Sequence, residues 1–141
     1  EIRKILMPLL TMTQSMGFMG FCAPVPNDWS DIKSVLLDDR AKDIVAPYVF
    51  GFFDYLGQAR KLPENLIVST AKNVIRESFK LSEKQAQQII DCAITASQTE
   101  NGKTIIHDGA MAIADFIEHQ TPIFGIKFCE HLAFGMGWTP L

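Results

Sequence analysis

Charge is scarce in this sequence, and basic charge scarcer than acidic: 13 Lys and Arg stand against 16 Asp and Glu in 141 residues, for a formal net charge of -3. Nowhere do the basic residues gather into the surface that phosphate contacts require, so nucleic acid is excluded as a partner. Cysteine is equally sparse. Cys22, Cys92 and Cys129 lie far apart and form no C-x-x-C pair, which removes zinc knuckles and thioredoxin-like redox motifs and leaves at most one disulfide within the chain. Each reads as a small buried apolar group. Also missing are the phosphate loop G-x-x-x-x-G-K-[ST], the dinucleotide fingerprint G-x-G-x-x-G, the hydrolase elbow G-x-S-x-G and the zinc motif H-E-x-x-H. Ser15, Ser30, Ser34, Ser69, Ser78, Ser82 and Ser97 have no recognisable base partner, and those at helix starts read as caps. No catalytic residue and no cofactor are expected, and the chain reads as a non-enzyme. No segment alternates apolar and polar residues for long enough to predict a strand.

What remains is apolar. Hydrophobic residues make up 48% of the chain and charged ones 21%, enough to close one hydrophobic core without disulfides or metal, with apolar surface left for a membrane or a partner. The most apolar stretch comes first. Arg3 and Lys4 precede an uncharged run from Ile5 to Ala23, the pattern of an export signal, although Pro24 after Ala23 is a poor cleavage site. The run also approaches the about 20 residues that span hydrocarbon, diluted by Pro8, Gln14, Gly17 and Gly20. A third reading is an apolar arm packed on the core or on a partner. All three favour a cell-envelope or organellar location, and the opening on Glu1 in place of Met suggests that something upstream was removed or not seen. Two parts are expected: residues 1–23 as an apolar arm or membrane-associated segment, and residues 24–141 as a helical domain.

Pro24 and Pro26 make a linker, because neither can continue a helix. Asp28 then reads as the cap of an amphipathic helix with Trp29, Ile32, Val35, Leu36 and Ile44 on its apolar face. Pro47 is placed to open a second helix, apolar nearly all round through Tyr48, Val49, Phe50, Phe52, Phe53, Tyr55 and Leu56 and stopped by Gly57, which predicts the central helix of a bundle. Pro63-Glu64 starts another, with Leu66, Ile67, Thr70, Ala71, Val74, Ile75 and Phe79 at helical spacing. Ser82 and Gln85 form a capping box ahead of Ala86, Ile89, Ile90, Ala93 and Ile94 on one face, and Asn101-Gly102 is expected to end that helix. Asp108 is read as capping a helix through Ala110, Ile113, Ala114, Phe116 and Ile117, and Thr121-Pro122 as opening a last one. The expectation is an all-α chain, a single small bundle of five or six helices.

Histidine offers the one route to metal chemistry. His119 and His131 each follow a glutamate in a Phe-x-Glu-His frame, and His107 precedes Asp108. Di-metal bundles use Glu-x-x-His, which puts both ligands on one helical face, whereas adjacent Glu and His point about 100° apart. His107, His119 and His131 therefore stand as an alternative metal-binding enzyme reading, set against polar-rim histidines on amphipathic helices.

Tyr48 to Leu56 carries more large apolar groups than one buried stripe needs. The surplus serves either core packing or a partner docked on aromatic anchors, and Tyr48, Phe52, Phe53 and Tyr55 are the candidate partner-binding residues. Around this helix the chain resembles the small exported helical immunity proteins that neutralise type VI secretion amidase effectors. The resemblance covers residues 46–94: Tyr48, Gly51 and Asp54 in a Tyr-x-x-Gly-x-x-Asp helix, the Leu62-Pro63-Glu64 turn, and an amphipathic helix from Val68 to Phe79. Gly51 would permit close helix approach there. The cysteines which that family carries near the Tyr helix and the Leu-Pro turn are replaced here by Val45, Ala46 and Lys61, so its disulfides are absent. The resemblance implies a protein of the cell envelope that acts by binding another protein, as an effector inhibitor or a component of a secretion or envelope assembly. An accessory subunit of a membrane complex, anchored through residues 5–23, is the alternative.

Overall fold

The computed structural model describes residues 34, 36–119, 130, 131, 134 and 135. Four helices run through them: α1 (Lys42–Ala59), α2 (Glu64–Ser78), α3 (Glu83–Ala96) and α4 (Glu100–His119). No strand occurs among the described residues, so the all-α expectation holds, while the described residues hold four helices where five or six were expected of the chain. The apolar run 5–23, Trp29 and Ile32 lie outside the described residues, as does most of the helix expected from Thr121, of which 130 and 131 are helical.

The helix expected over 28–44 is broken by a turn at Asp38. Its carboxylate accepts the Arg40 backbone N–H at 2.8 Å and the guanidinium Nε at 2.9 Å. An Asp side chain that captures the amide two residues on competes with the helical ladder. The Asp38 carbonyl meanwhile takes the amides of Ala41 and Lys42, so α1 starts at Lys42 and absorbs Ile44, and Pro47 lies inside the helix instead of opening it.

Apolar side chains bury α1 nearly all round, as its sequence predicted: Ile44 to Val49, Gly51, Phe52 and Phe53 are all buried. Tyr48 and Phe52 meet edge to face, with ring centroids 5.6 Å apart, and with Leu36, Ile75, Ile90, Ile105 and Ile113 they are the largest fully buried side chains among the described residues. Each of α2, α3 and α4 packs on α1, and α4 does so most extensively. At that crossing a Cβ on Gly51 would overlap the Ile106 carbonyl oxygen and stand 2.8 Å from the Ala110 nitrogen. Only glycine lets the two backbones approach so far, the role the sequence suggested for Gly51.

Helices α1 and α2 end alike, with a lysine where glycine is usual. Lys61 and Lys80 have φ of 57° and 54°, and the amides of Leu62 and Leu81 return to the carbonyls of Gly57 and Arg76 at 2.9 Å, a Schellman closure. The capping box is present in full, since Ser82 Oγ accepts from the Gln85 amide at 3.1 Å and Gln85 Oε1 from the Ser82 amide at 3.0 Å. Glu83 holds α3 to α2 by accepting from Lys72 at 2.6 Å and Arg76 at 2.9 Å. The Lys72 hydrogen bond, with its charge, keeps the Glu83 carboxyl below its ordinary range.

Two further boundaries depart from expectation. Asn101-Gly102 lies in the first turn of α4, because Thr99 Oγ1 accepts the Gly102 amide at 2.9 Å and so caps a helix just after α3 has closed at Ala96. Asp108 therefore sits in the middle of α4 and caps nothing; its carboxylate lies 2.7 Å from Nε2 of His131. Among the described residues no helix is long and apolar enough to cross a membrane.

Candidate partner-binding site

On α1 the groove is lined by Phe50, Asp54 and Gln58, with Tyr55 at its flank on the side that also carries Tyr48 and Phe52, and on α4 helical periodicity lines up Lys103, Ile106, His107, Ala110 and Met111. Because the two helices meet at Gly51 and Gly109, these rows stand close enough to form the walls of a groove of about 850 Å³. The first turns of α2 add Glu64 and Val68, and the end of α3 adds Ile94 and Ser97. A volume of this order accommodates several side chains of a partner.

Three large apolar groups in the groove are open to solvent: Tyr55 at 37%, Ile94 at 40% and Met111 at 54%. Their polar neighbours are divided by element, with the carboxylates of Asp54 and Glu64 on the α1–α2 side and Lys103 and His107 on α4. Apolar shoulders with polar groups around them match the anatomy of a protein interface, where Tyr and Met are enriched at the centre.

The four residues expected to bind a partner are thus split by the fold. Tyr48, Phe52 and Phe53 are 0%, 1% and 4% exposed, and in this fold they serve the core. Tyr55 alone of the four reaches the surface and the groove. Ile94 and Met111 were not singled out in the sequence. Ile94 continues the buried row Ala86, Ile89, Ile90 and Ala93, and nothing in spacing separates it from them. Met111 had a signal, since it is a large apolar residue off the face that carries Ile113 and Ala114.

The histidines are dispersed. His107 lines the groove, His131 pairs with Asp108, and His119 ends α4. Among the described residues no three His, Cys, Asp or Glu side chains stand close enough together to hold a metal ion.

A second cleft, of about 540 Å³, lies between the start of α1, α3 and the start of α4, with Lys42, Asp43, Asp91, Cys92 and Thr95 in its walls. Cys92 Sγ donates to Asp43 Oδ1 at 3.1 Å. Burial, and then that carboxylate, push the thiol up to about 12, so at neutral pH it carries almost no thiolate and is a poor nucleophile. Cys22 and Cys129 lie outside the described residues.

The family model described as immunity protein 48 matches residues 25–127, a span that contains all four helices and every wall of the groove. No curated protein and no solved structure matches the chain significantly. Since the matched span is well over half of the 141 residues, and it includes the helices in which the immunity-protein resemblance was read, the chain belongs to the immunity protein 48 family.

Proposed function

We propose that this protein protects a cell by binding a toxic effector protein and blocking it, with no reaction of its own, and that the α1–α4 groove is the centre of the contact. Membership of an immunity-protein family carries the first part. The exposed Tyr55, Ile94 and Met111 in one groove support the second. A stable complex buries roughly 1,200–2,000 Å² in total, so the groove supplies the anchors and the surrounding helix faces the rim.

We place the protein at the cell envelope, as inhibitor of an effector delivered by a secretion system. The basic start and the uncharged run from Ile5 to Ala23 support that location. The same run favours one other reading, an accessory subunit anchored in a membrane complex. Carbonate extraction separates them, because an integral subunit stays with the membrane and an immunity protein of the periplasm is released.

Capture of the effector protein that binds the full chain, followed by co-expression of the two, tests the inhibitor reading. Wild-type protein restores growth and co-purifies with the toxin, and the Tyr55→Asp variant folds but does neither. Unchanged toxicity in the presence of folded wild-type protein would reject the reading.

A further inference from the structure

We infer that the groove takes a basic segment of the effector, with an apolar side chain seated among Tyr55, Ile94 and Met111 and a Lys or Arg of the same segment facing Asp54 and Glu64. This rests on the effector-binding reading above and specifies the chemistry of what is bound.

The inference comes from the charge in the groove. Its lysine, Lys103, is already balanced, with its ammonium 3.6 Å from the Glu100 carboxylate one turn earlier on α4. Its two carboxylates are not. Asp54 accepts a hydrogen bond from the neutral Gln58 amide at 3.1 Å, and Glu64 has no ion pair among the described residues. Glu64 also opens α2, where the positive end of the helix dipole supplies no formal cation. Among the described residues the α1–α2 rim therefore presents two negative charges without a cationic partner, beside three apolar anchors.

Charge of one sign at an interface rim steers the opposite sign and repels its own. A phosphate backbone or an anionic headgroup meets repulsion here. So does a second copy of this chain, which brings the same acidic rim and a net charge of -3. A cationic segment with an apolar anchor satisfies both features of the groove at once.

The test uses the full chain and, purified, the effector protein whose toxicity it relieves, with association followed at 50 and 500 mM salt. The isosteric double variant Asp54→Asn, Glu64→Gln removes the charge and keeps the shape. It is expected to associate about tenfold more slowly than wild type at low salt, with most of the difference gone at high salt. Asp91→Asn, in the other cleft, should associate at the wild-type rate. A double variant as fast as wild type, in a pair that still binds and neutralises, overturns this inference and leaves the inhibitor reading standing. If the wild-type pair does not bind at all, both fall. If the double variant melts early, the exposed Glu64→Gln alone decides, with a loss of about threefold expected and no change as refutation.

Discussion

Gly51 of α1 and Gly109 of α4 sit at one helix crossing, each against the other helix's main chain: a Cβ on Gly51 would overlap the Ile106 carbonyl oxygen, and one on Gly109 the Tyr48 carbonyl oxygen. Alanine at either site gains about 0.5–1 kcal/mol of helix preference, but the obstructing atoms are backbone and cannot swing aside. Overpacking therefore wins. Gly51→Ala should lose about 1–3 kcal/mol in urea unfolding. Gly51→Ala with Gly109→Ala should cost less than the sum of the two, since one separation of the helices relieves both.

Phe52 and Phe53 are core residues, and their variants should show it. Phe52→Ala is expected to cost about 3–5 kcal/mol, a large share of the about 5–15 kcal/mol that holds a domain together. Phe52→Asp and Phe53→Asp should unfold the protein, seen as loss of the cooperative thermal transition. A folded Phe52→Asp variant that fails only in binding would overturn the burial assignment.

Tyr55→Ala and Met111→Asp should behave oppositely. Both residues reach the surface in the groove, Met111 at 54% and Tyr55 at 37%, so each should cost clearly less stability than the about 3–5 kcal/mol of Phe52→Ala. Affinity for the toxin should fall by more than about 2 kcal/mol, roughly thirtyfold, for an anchor at the centre of the contact. Calorimetric titration beside a thermal melt separates the two effects.

Lys61 and Lys80 hold left-handed backbone without being glycine, a conformation that costs an ordinary residue about 1–2 kcal/mol. Lys61→Gly should relieve that strain while enlarging the freedom of the unfolded chain. The expected outcome is unchanged or slightly raised stability in urea melts, up to about 1 kcal/mol.

Cys92 should resist alkylation in the folded state. With its thiol pushed up to about 12, site-resolved mass spectrometry after iodoacetamide at pH 8 should show it labelled at least about a hundredfold more slowly than in urea. The stability consequence has a definite sign. Between the ordinary thiol value of 9.0 and about 12 the unfolded chain releases this proton and the folded chain keeps it, so Cys92 makes stability fall as pH rises through that window. Cys92→Ala should flatten that part of the pH profile.

The sequence by itself determined the elements whose signals are local. The Ser82–Gln85 box, Pro63-Glu64 and the apolar surround of α1 each depend on neighbours within a turn or two, and each stands in the structure as read. It also carried the immunity-protein resemblance, because Tyr48, Gly51, Asp54 and the Leu62-Pro63 turn are a linear pattern. Its errors arose where two local signals competed. Asp38 took a turn in place of helix, Thr99 capped α4 ahead of Asn101-Gly102, and Pro47 was carried inside a helix whose first turn closes on Asp38 and Ala41.

Only the tertiary structure decided which apolar residues are left to a partner. Phe52 and Tyr55 lie less than one turn apart on the same aromatic helix, yet one is 1% and the other 37% exposed. Among the described residues α1 is covered by three helices, and α4 crosses it where Gly51 and Gly109 permit close approach. The pairing of Asp108 with His131, and the meeting of Tyr55, Ile94 and Met111 in one groove, likewise join residues far apart in the chain. Helical periodicity fixes which side of its own helix a residue occupies, but not what packs against that side.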